Sequence, residues 1–296
     1  MGPTCVGKSS TAIKMAGKIG GEIINCDSMQ VYKGFDIGTD KTPLERREGI
    51  PHHLLDVAYP STQFTAADFC RLALEAATSI IKRKKIPIIV GGTGLYLKAL
   101  LDGLFPEGKR NTALRLKLER EAEEKGLESL REKLKEVDPR YFQKIGKNDR
   151  ARIIRALEVF TSTQKPFSSH FLATRSFVEG FNIIKIGLKL ERNELYQRIE
   201  ERVDKMFAQG IIQEVQNLFR KGLKENSPPF RALGYKYVIK VLKREMALEE
   251  AIALTKKDTR HYAKRQMTWF KKMEGIKWFS PDNFPLILKY VKKNLK

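Results

Sequence analysis

A short glycine-rich motif at the start of the chain constrains the fold more than any other feature of the sequence. Residues 2–9 (Gly-Pro-Thr-Cys-Val-Gly-Lys-Ser) match the pattern G-x-x-x-x-G-K-[ST] of a phosphate-binding loop. In such a loop backbone N–H groups point inward around phosphate oxygens, and the N-terminus of the following helix adds positive potential. Lys8 contributes a full charge, and the hydroxyl of Ser9 can bind Mg²⁺. We therefore expect a ligand with two or three phosphates, and the loop alone leaves open which one.

The residues around this motif support the interpretation on one side only. Residues 8–19 have apolar residues at helical spacing and are followed by Gly20 and Gly21, which predicts a helix leading away from the loop. On the other side only Met1 precedes the motif, whereas a strand of about five residues normally leads into it. Either the start of the chain has been lost or misassigned, or the sheet lacks a central strand. We favour the first explanation, because an unfilled central strand would leave backbone groups without hydrogen bonds.

Apolar runs elsewhere predict further strands and helices. Residues 21–27 and 86–92 are rich in Ile and Val and bounded by glycine, as expected of buried parallel strands. Between them lies a segment with apolar residues at helical spacing, for which Thr65 is a candidate N-cap. The strand pattern returns at 181–190 and again at 276–280.

Residues 109–170 have helical periodicity and many charges, which indicates a helical insertion. The predicted fold class is therefore α/β, with a P-loop NTPase-like core of parallel strands flanked by helices and an all-helical insertion domain. The predicted core is discontinuous and comprises residues 1–108 and 181–296. The predicted insertion domain comprises residues 109–180.

The charge of the chain indicates a polyanionic partner. Lysine and arginine number 56 and aspartate and glutamate 35, which gives a formal net charge of +21 and a pI near 9.8. A surplus of this size most often accompanies nucleic-acid binding, with a generally basic surface as the alternative. We expect no membrane span and no secretion signal, because no run of 18 apolar residues and no basic-then-apolar leader occurs.

Cysteine and histidine suggest neither a disulfide framework nor a metal site. The three cysteines are far apart in the sequence and form no C-x-x-C pair, which favours a reducing cytoplasm. The four histidines show no ligand spacing, and surface or packing roles are expected for them; they are His52, His53, His170 and His261.

Two more segments are predicted to lie at the same edge of the sheet as the phosphate loop. Asp27 follows the first predicted strand, where its carboxylate could act as a general base. Helix capping by Asp27 or Ser28 is the structural alternative. The segment Gly-Gly-Thr-Gly-Leu-Tyr at 91–96 follows the second strand, and its glycines allow close backbone approach while Thr93 offers a hydroxyl.

Six sequence blocks, in this order, resemble those of the tRNA dimethylallyltransferases, also called tRNA isopentenyltransferases: GPTxxGKS, DSMQVYKGFDIGTDK, GGTGLYLKALLDGL, DRARIIRALEVF, FRALGYK and KRQMTWFKK. The resemblance covers essentially the whole chain. It implies transfer of a dimethylallyl group from dimethylallyl diphosphate to N6 of adenosine 37, beside the anticodon of tRNAs that read codons beginning with U. It also implies a requirement for Mg²⁺ and a phosphate loop that holds the diphosphate of the donor.

The resemblance also implies roles for particular residues. Asp27 is the expected base, Thr93 orients the adenosine, and Arg115 lies on the donor side. The diphosphate-binding residues are Gly2, Pro3, Thr4, Cys5, Val6, Gly7, Lys8 and Ser9, with Ser9 also the metal ligand. Besides Asp27, Thr93 and Arg115, the expected tRNA-binding residues are Ser28, Met29, Gln30, Ala151, Arg152, Ile153, Ile154, Arg155, Arg231, Ala232, Leu233, Gly234, Tyr235, Lys236, Lys264, Arg265, Gln266, Met267, Thr268, Trp269, Phe270 and Lys271.

On this interpretation the partners are the anticodon stem-loop of tRNA and dimethylallyl diphosphate, and the protein is a cytoplasmic monomer. Two other functions compete with it. An ATP-dependent kinase of a small metabolite would use the same loop, but it would leave the basic helix near the C-terminus and the insertion unexplained. A nucleotide-responsive RNA-binding protein would bind tRNA tightly without modifying it.

Overall fold

A computed structural model describes residues 1–104, 111–172 and 176–295. The chain forms two compact units, Met1–Lys98 with Gly180–Lys296, and Ala99–Glu179. The start of the predicted insertion, residue 109, lies outside the described residues, and the second unit begins before it, at Ala99.

The described residues contain both strands and helices, as predicted. The strands are β1 (Gly21–Asn25), β2 (His52–His53), β3 (Ile86–Val90), β4 (Ile186–Leu188) and β5 (Lys277–Phe279). The helices are α1 (Lys8–Ile19), α2 (Ala66–Lys82), α3 (Gly94–Asp102), α4 (Thr112–Glu124), α5 (Leu127–Val137), α6 (Pro139–Phe142), α7 (Arg150–Thr163), α8 (Arg192–Ala208), α9 (Ile211–Arg220), α10 (Tyr235–Leu242), α11 (Leu248–Phe270) and α12 (Phe284–Asn294). Short 3₁₀ turns span Leu44–Arg46, Phe167–Leu172 and Pro228–Arg231.

The strands of the first unit form two parallel sheets. One has the order β2-β1-β3 and the other pairs β4 with β5. All five residues of β1 are buried, and α1 and α2 pack against β1 and β3. The prediction of an α/β core with parallel strands is therefore confirmed. The strand predicted at 181–190 is reduced to the three residues of β4, which pair with the three residues of β5.

The helix predicted after the phosphate loop is confirmed at residues 8–19. Gly7 before it and Gly20 after it both have left-handed backbone conformations, with φ of 88° and 67°. A side chain at either position would strain the backbone, so glycine suits both ends of α1. Thr65 is confirmed as the N-cap of α2, where it forms a capping box with Asp68.

The phosphate loop enters the first unit beside β4. In the described part of the chain no strand precedes Gly2. The amino group of Met1 donates to the Ile186 carbonyl at 2.8 Å, and the Met1 carbonyl accepts from the Leu188 N–H at 2.9 Å. This is the hydrogen-bond pattern of a parallel pair, so the backbone of Met1 extends the β4 edge by one residue.

The segment after β1 is anchored in the larger hydrophobic core of the first unit. Val31 and Phe35 are fully buried and pack with residues of α8, α9 and α10. The ring of Phe35 lies 5.1 Å from that of Tyr235 on α10, centroid to centroid. Lys41, at the end of the segment, is buried and donates to the carboxylates of Asp36 and Asp56, both at 2.6 Å.

One carboxylate fixes the turn within this segment. Glu214 on α9 accepts hydrogen bonds from the N–H groups of Asp36, Ile37 and Gly38, at 2.9, 2.7 and 3.4 Å. It also accepts from the hydroxyl of Tyr235 at 2.6 Å. Backbone N–H groups in a turn need such an acceptor when neighbouring strands offer none.

The second unit is helical in its described part, as predicted for the insertion. Its core contains Leu130 and Leu134 of α5 with Ile153 and Ile154 of α7, all of them fully buried. Asp138 joins two parts of this unit, since it accepts from the N–H of Tyr141 in α6 and from both the N–H and the hydroxyl of Ser168.

Glu214→Ala should lower the melting temperature by about 10 °C or more, because it leaves the three N–H groups of residues 36–38 without a charged acceptor. Such bonds contribute about 1.5–3 kcal/mol each, and a loss of 1 kcal/mol lowers the melting temperature of a chain of this length by about 2 °C. Glu201→Ala is the matched control, since Glu201 is exposed on α8 and, among the described residues, accepts a hydrogen bond only from Gln197. Thermal melts followed by circular dichroism measure both. Equal melting temperatures for the two variants would contradict the anchoring role of Glu214.

Candidate active site

Three loops of the first unit meet at the carboxyl ends of β1 and β3. They are the phosphate loop, the turn after β1 and the glycine-rich turn after β3, and they line one cavity of about 980 Å³. Lys8 and Asp27 both line this cavity. The structure thus brings together the phosphate loop and the candidate base, as predicted from the position of Asp27 after a parallel strand.

The phosphate loop has a strained, tightly held backbone. Cys5 has a left-handed backbone conformation, with φ of 62°, that residues other than glycine rarely adopt. A side chain on Gly2 would lie 2.6 Å from the carbonyl oxygen of Leu188, which explains the glycine at that position. The ammonium of Lys8 donates to the Pro3 carbonyl at 2.5 Å, so the lysine folds back over its own loop.

Partial burial makes the positive charge of Lys8 costly. Desolvation lowers the pKa of Lys8 to about 8, against the opposing effect of nearby Asp27. A bound anion would reverse this, because a negative charge beside the ammonium stabilises its protonated form. Lys8 is therefore a cation whose environment favours an anionic ligand.

A second cation at the loop, Arg202 of α8, was missed by the sequence analysis. Its guanidinium donates to the Thr4 hydroxyl at 2.5 Å and lies 3.4 Å from a carboxylate oxygen of Asp40. Arg202 also lines the cavity. The apolar spacing of α8 indicates only an amphipathic helix, and nothing local distinguishes this arginine from those on the solvent-exposed face.

The two oxygens of the Asp27 carboxylate differ in their contacts, and Asp27 lines the cavity. Its Oδ1 accepts from the N–H groups of Met29 and Gln30 at 2.8 and 3.3 Å, which is the capping role considered in the sequence analysis. Its Oδ2 has no hydrogen-bond partner among the described residues. One carboxylate can therefore cap the turn with one oxygen and still accept a proton with the other.

Thr93 is held beside this turn. Its hydroxyl oxygen accepts from the Ser28 N–H at 3.0 Å, and its own N–H donates to the Cys26 carbonyl at 3.3 Å. Gly91 lies directly against the Cys26 backbone, with no room for a side chain. The two turns therefore form one rigid unit, with Asp27 on one side and Thr93 on the other.

The other glycines after β3 allow an approach by helix α11. A Cβ atom on Gly92 would overlap the amide nitrogen of Gln266, and one on Gly94 would overlap the ring of Trp269. The predicted close approach of the backbone is confirmed, and the groups that approach here belong to the protein itself.

Ser9 is the predicted metal ligand within the loop. It is exposed and lines the cavity. Among residues 1–104, 111–172 and 176–295 no group of three or more His, Cys, Asp or Glu side chains is arranged to hold a metal ion. Mg²⁺ prefers oxygen ligands and is commonly shared between one or two protein groups and substrate phosphates. A hydroxyl beside a phosphate loop fits that mode of binding.

Comparison with known proteins identifies the family. The family model described as IPP transferase matches residues 30–273. The chain belongs to the IPP transferase family. Among curated relatives in this family, the tRNA dimethylallyltransferase of Acetivibrio thermocellus is 45% identical over 297 residues, covering 100% of this chain and 95% of that protein. The tRNA dimethylallyltransferase of Carboxydothermus hydrogenoformans is 48% identical over 280 residues, covering 94% and 90%.

Solved structures of IPP transferases have the same fold. The tRNA isopentenylpyrophosphate transferase of Bacillus halodurans has a TM-score of 0.73 and 37% identity, covering 99% of this chain and 94% of that one. A eukaryotic dimethylallyltransferase, in a crystallographic study of its action on tRNA, has a TM-score of 0.81 and 32% identity, covering 99% and 74%.

The residues that the resemblance assigns to tRNA binding differ in exposure. Several side chains are buried and therefore pack inside the protein; these are Ile153, Ile154, Ala232, Tyr235, Gln266 and Phe270. Others are exposed, and contact with RNA stays a prediction for them; these are Ala151, Arg152, Arg231, Lys236, Lys264, Arg265, Thr268 and Lys271. Arg115 lies on α4 of the second unit, where it pairs with Glu119 at 3.0 Å, and its donor-side role also stays a prediction.

The described residues include no helix that is both long and apolar enough to cross a membrane.

His53 has a structural role, since its ring lies 2.7 Å from the carboxylate of the buried Glu22.

Binding of inorganic diphosphate should be coupled to proton uptake by Lys8. With the pKa of Lys8 near 8 in the free protein, a growing fraction of Lys8 is neutral above that pH. Binding of the anion then requires Lys8 to take up a proton from solvent. Affinity should therefore fall as pH rises above 8. Calorimetry in buffers of different ionisation enthalpy measures the protons taken up per diphosphate bound.

Two lysine variants make this measurement specific, because diphosphate itself also titrates. Lys8→Met should remove the uptake due to the protein, whereas Lys18→Met, at an exposed position near the end of α1, should retain it. The same proton uptake in wild type and Lys8→Met would refute the assignment.

Proposed function

We propose that this chain transfers a dimethylallyl group from dimethylallyl diphosphate to N6 of adenosine 37 in tRNA. Family membership supports the reaction class, since relatives of 45–48% identity are tRNA dimethylallyltransferases. The observation that carries the proposal is a cavity that both the phosphate loop and Asp27 line. A prenyl transfer to an amine needs both, one for the leaving group and one for the proton.

The donor diphosphate would occupy the phosphate loop. As the bond between C1 of the dimethylallyl group and the diphosphate oxygen breaks, negative charge grows on the leaving group. Lys8, Arg202 and the N–H groups at the start of α1 are positioned to stabilise that charge. Ser9 would help to hold Mg²⁺, which would supply further positive charge there.

Asp27 would act on the nucleophile. The exocyclic amine of adenine is a weak nucleophile because its lone pair is delocalised into the ring, so loss of a proton must accompany attack on C1. Asp27 Oδ2 can accept this proton, since Oδ1 alone makes the capping bonds. The new N6–C1 bond forms as the C1–O bond breaks, and diphosphate leaves.

The adenine would have to leave its stack to reach Asp27. Enzymes that modify a base in this way bind it in a pocket and hold the surrounding RNA open. Lys264 and Arg265 are exposed cations of α11, and they lie next to Gln266, which lines the cavity. This position suits them to contacts with RNA phosphates. The net charge of +21 favours such a polyanionic substrate.

We further propose that the protein acts as a monomer in the cytoplasm. Its cysteines are all free thiols, which suits a reducing compartment.

Mass spectrometry of tRNA nucleosides tests the function. Unmodified tRNA incubated with dimethylallyl diphosphate, Mg²⁺ and protein should yield N6-dimethylallyladenosine at position 37, together with diphosphate. Turnover of ATP without RNA would favour the metabolite kinase. Tight tRNA binding with no modified nucleoside would favour an RNA-binding protein without catalytic activity.

Asp27→Asn separates the two roles of this side chain. The amide oxygen of asparagine still caps the turn, but the side chain no longer accepts a proton at neutral pH. The rate of prenyl transfer should fall by about 10²-fold or more, while tRNA and diphosphate bind as in wild type. Asp204→Asn, a change at an exposed residue of α8 that pairs with Lys256, should leave the rate unchanged. A wild-type rate in Asp27→Asn would exclude Asp27 as the base.

A further inference from the structure

Gln266 on α11 links two of the three loops that form the cavity. Its side-chain oxygen accepts from the Thr4 N–H at 2.8 Å, and its side-chain nitrogen donates to the Gly92 carbonyl at 2.8 Å. Gln266 is only 6% exposed. An N–H can only donate and a carbonyl can only accept, so these two partners fix which end of the amide faces which loop.

The peptide group between Pro3 and Thr4 is held from both sides. Its N–H donates to Gln266, and its carbonyl accepts from the ammonium of Lys8 at 2.5 Å. In a planar trans peptide the N–H and C=O point in opposite directions, so fixing one fixes the other. A continuous chain of hydrogen bonds therefore runs from Gly92 through Gln266 and this peptide to Lys8.

We infer that Gln266 is a positioning residue that sets the conformation of the phosphate loop and thereby places the Lys8 ammonium. It acts through the Pro3–Thr4 peptide, and its buried side chain does not serve as an RNA contact. Without Gln266 the peptide is free to turn, and Lys8 loses the carbonyl that holds it in the cavity. For the prenyl donor this inference rests on the proposed function; for inorganic diphosphate it does not.

The glycine opposite Gln266 supports this role. A Cβ atom on Gly92 would overlap the Gln266 side-chain nitrogen. The backbone of Gly92 is outside the left-handed region, so its conformation is open to other residues and the lack of space is what excludes a side chain. The turn after β3 is thus shaped to admit this amide.

Gln266→Met tests the inference, because methionine has similar length and removes both hydrogen bonds. We expect the Kd for inorganic diphosphate and the KM for dimethylallyl diphosphate to rise about tenfold, equivalent to ~1.4 kcal/mol. The KM for tRNA should stay within about twofold. Gln197→Met makes the same chemical change at an exposed site of α8, where the amide bonds only Glu201, and should leave all three constants unchanged. Circular dichroism and thermal melts establish that each variant is folded.

Gly92→Ala provides a second route to the same effect, since its methyl group displaces the amide while Gln266 remains. It should raise the Kd for diphosphate as Gln266→Met does. The double variant should be no worse than the more affected single variant, because both changes break one chain of contacts. This comparison keeps the inference testable if Gln266→Met does not fold.

The outcomes separate this inference from the proposed function. An unchanged Kd for diphosphate in folded Gln266→Met, or additive effects in the double variant, would overturn the positioning role. A raised KM for tRNA with an unchanged KM for the donor would make Gln266 an RNA contact. If wild type bound diphosphate but transferred no dimethylallyl group, the proposed function would fail, while the Kd comparison would still decide the role of Gln266.

Discussion

A positive charge held away from water organises the pocket. Desolvation of the Lys8 ammonium lowers its pKa to about 8, and the ammonium donates to a carbonyl of its own loop. Desolvating a cation costs free energy that only an anion or several polar partners can offset. The glycines of the phosphate loop, the N-terminus of α1 and Arg202 surround this charge, and together they form a space that suits phosphate oxygens.

The parts of the fold that follow from local chemistry could be predicted from the sequence. The helix at 8–19 was predicted from its spacing and its terminal glycine, and β1 and β3 from short apolar runs. Asp27 could be placed in the site because parallel strands end at one edge of a sheet. The roles of the wider set of tRNA-binding residues came from resemblance, and burial of Tyr235 and Phe270 shows that such blocks also contain core residues.

The contacts that sequence reasoning missed join residues across long separations. Arg202, which was not predicted as a site residue, contacts a loop residue 198 positions away. Gln266, which was predicted only as a tRNA contact, bonds to a loop residue 262 positions away. Glu214 accepts from the backbone N–H groups of Asp36 and Ile37, and such contacts do not depend on which side chains those residues carry, so the sequence does not indicate them. A pattern along one helix reveals which face is apolar, but it does not reveal which distant backbone group the polar residues meet. β4 was predicted too long for a related reason, because an apolar run does not reveal which of its residues pair with a distant strand.

Helix α11 gives the two substrates of the proposed reaction a shared rigid element. Gln266 faces the phosphate loop, while its neighbours Lys264 and Arg265 are exposed to solvent. Arg265 also lines the cavity, so one turn of this helix both holds the phosphate loop and presents a cation to the space beside it.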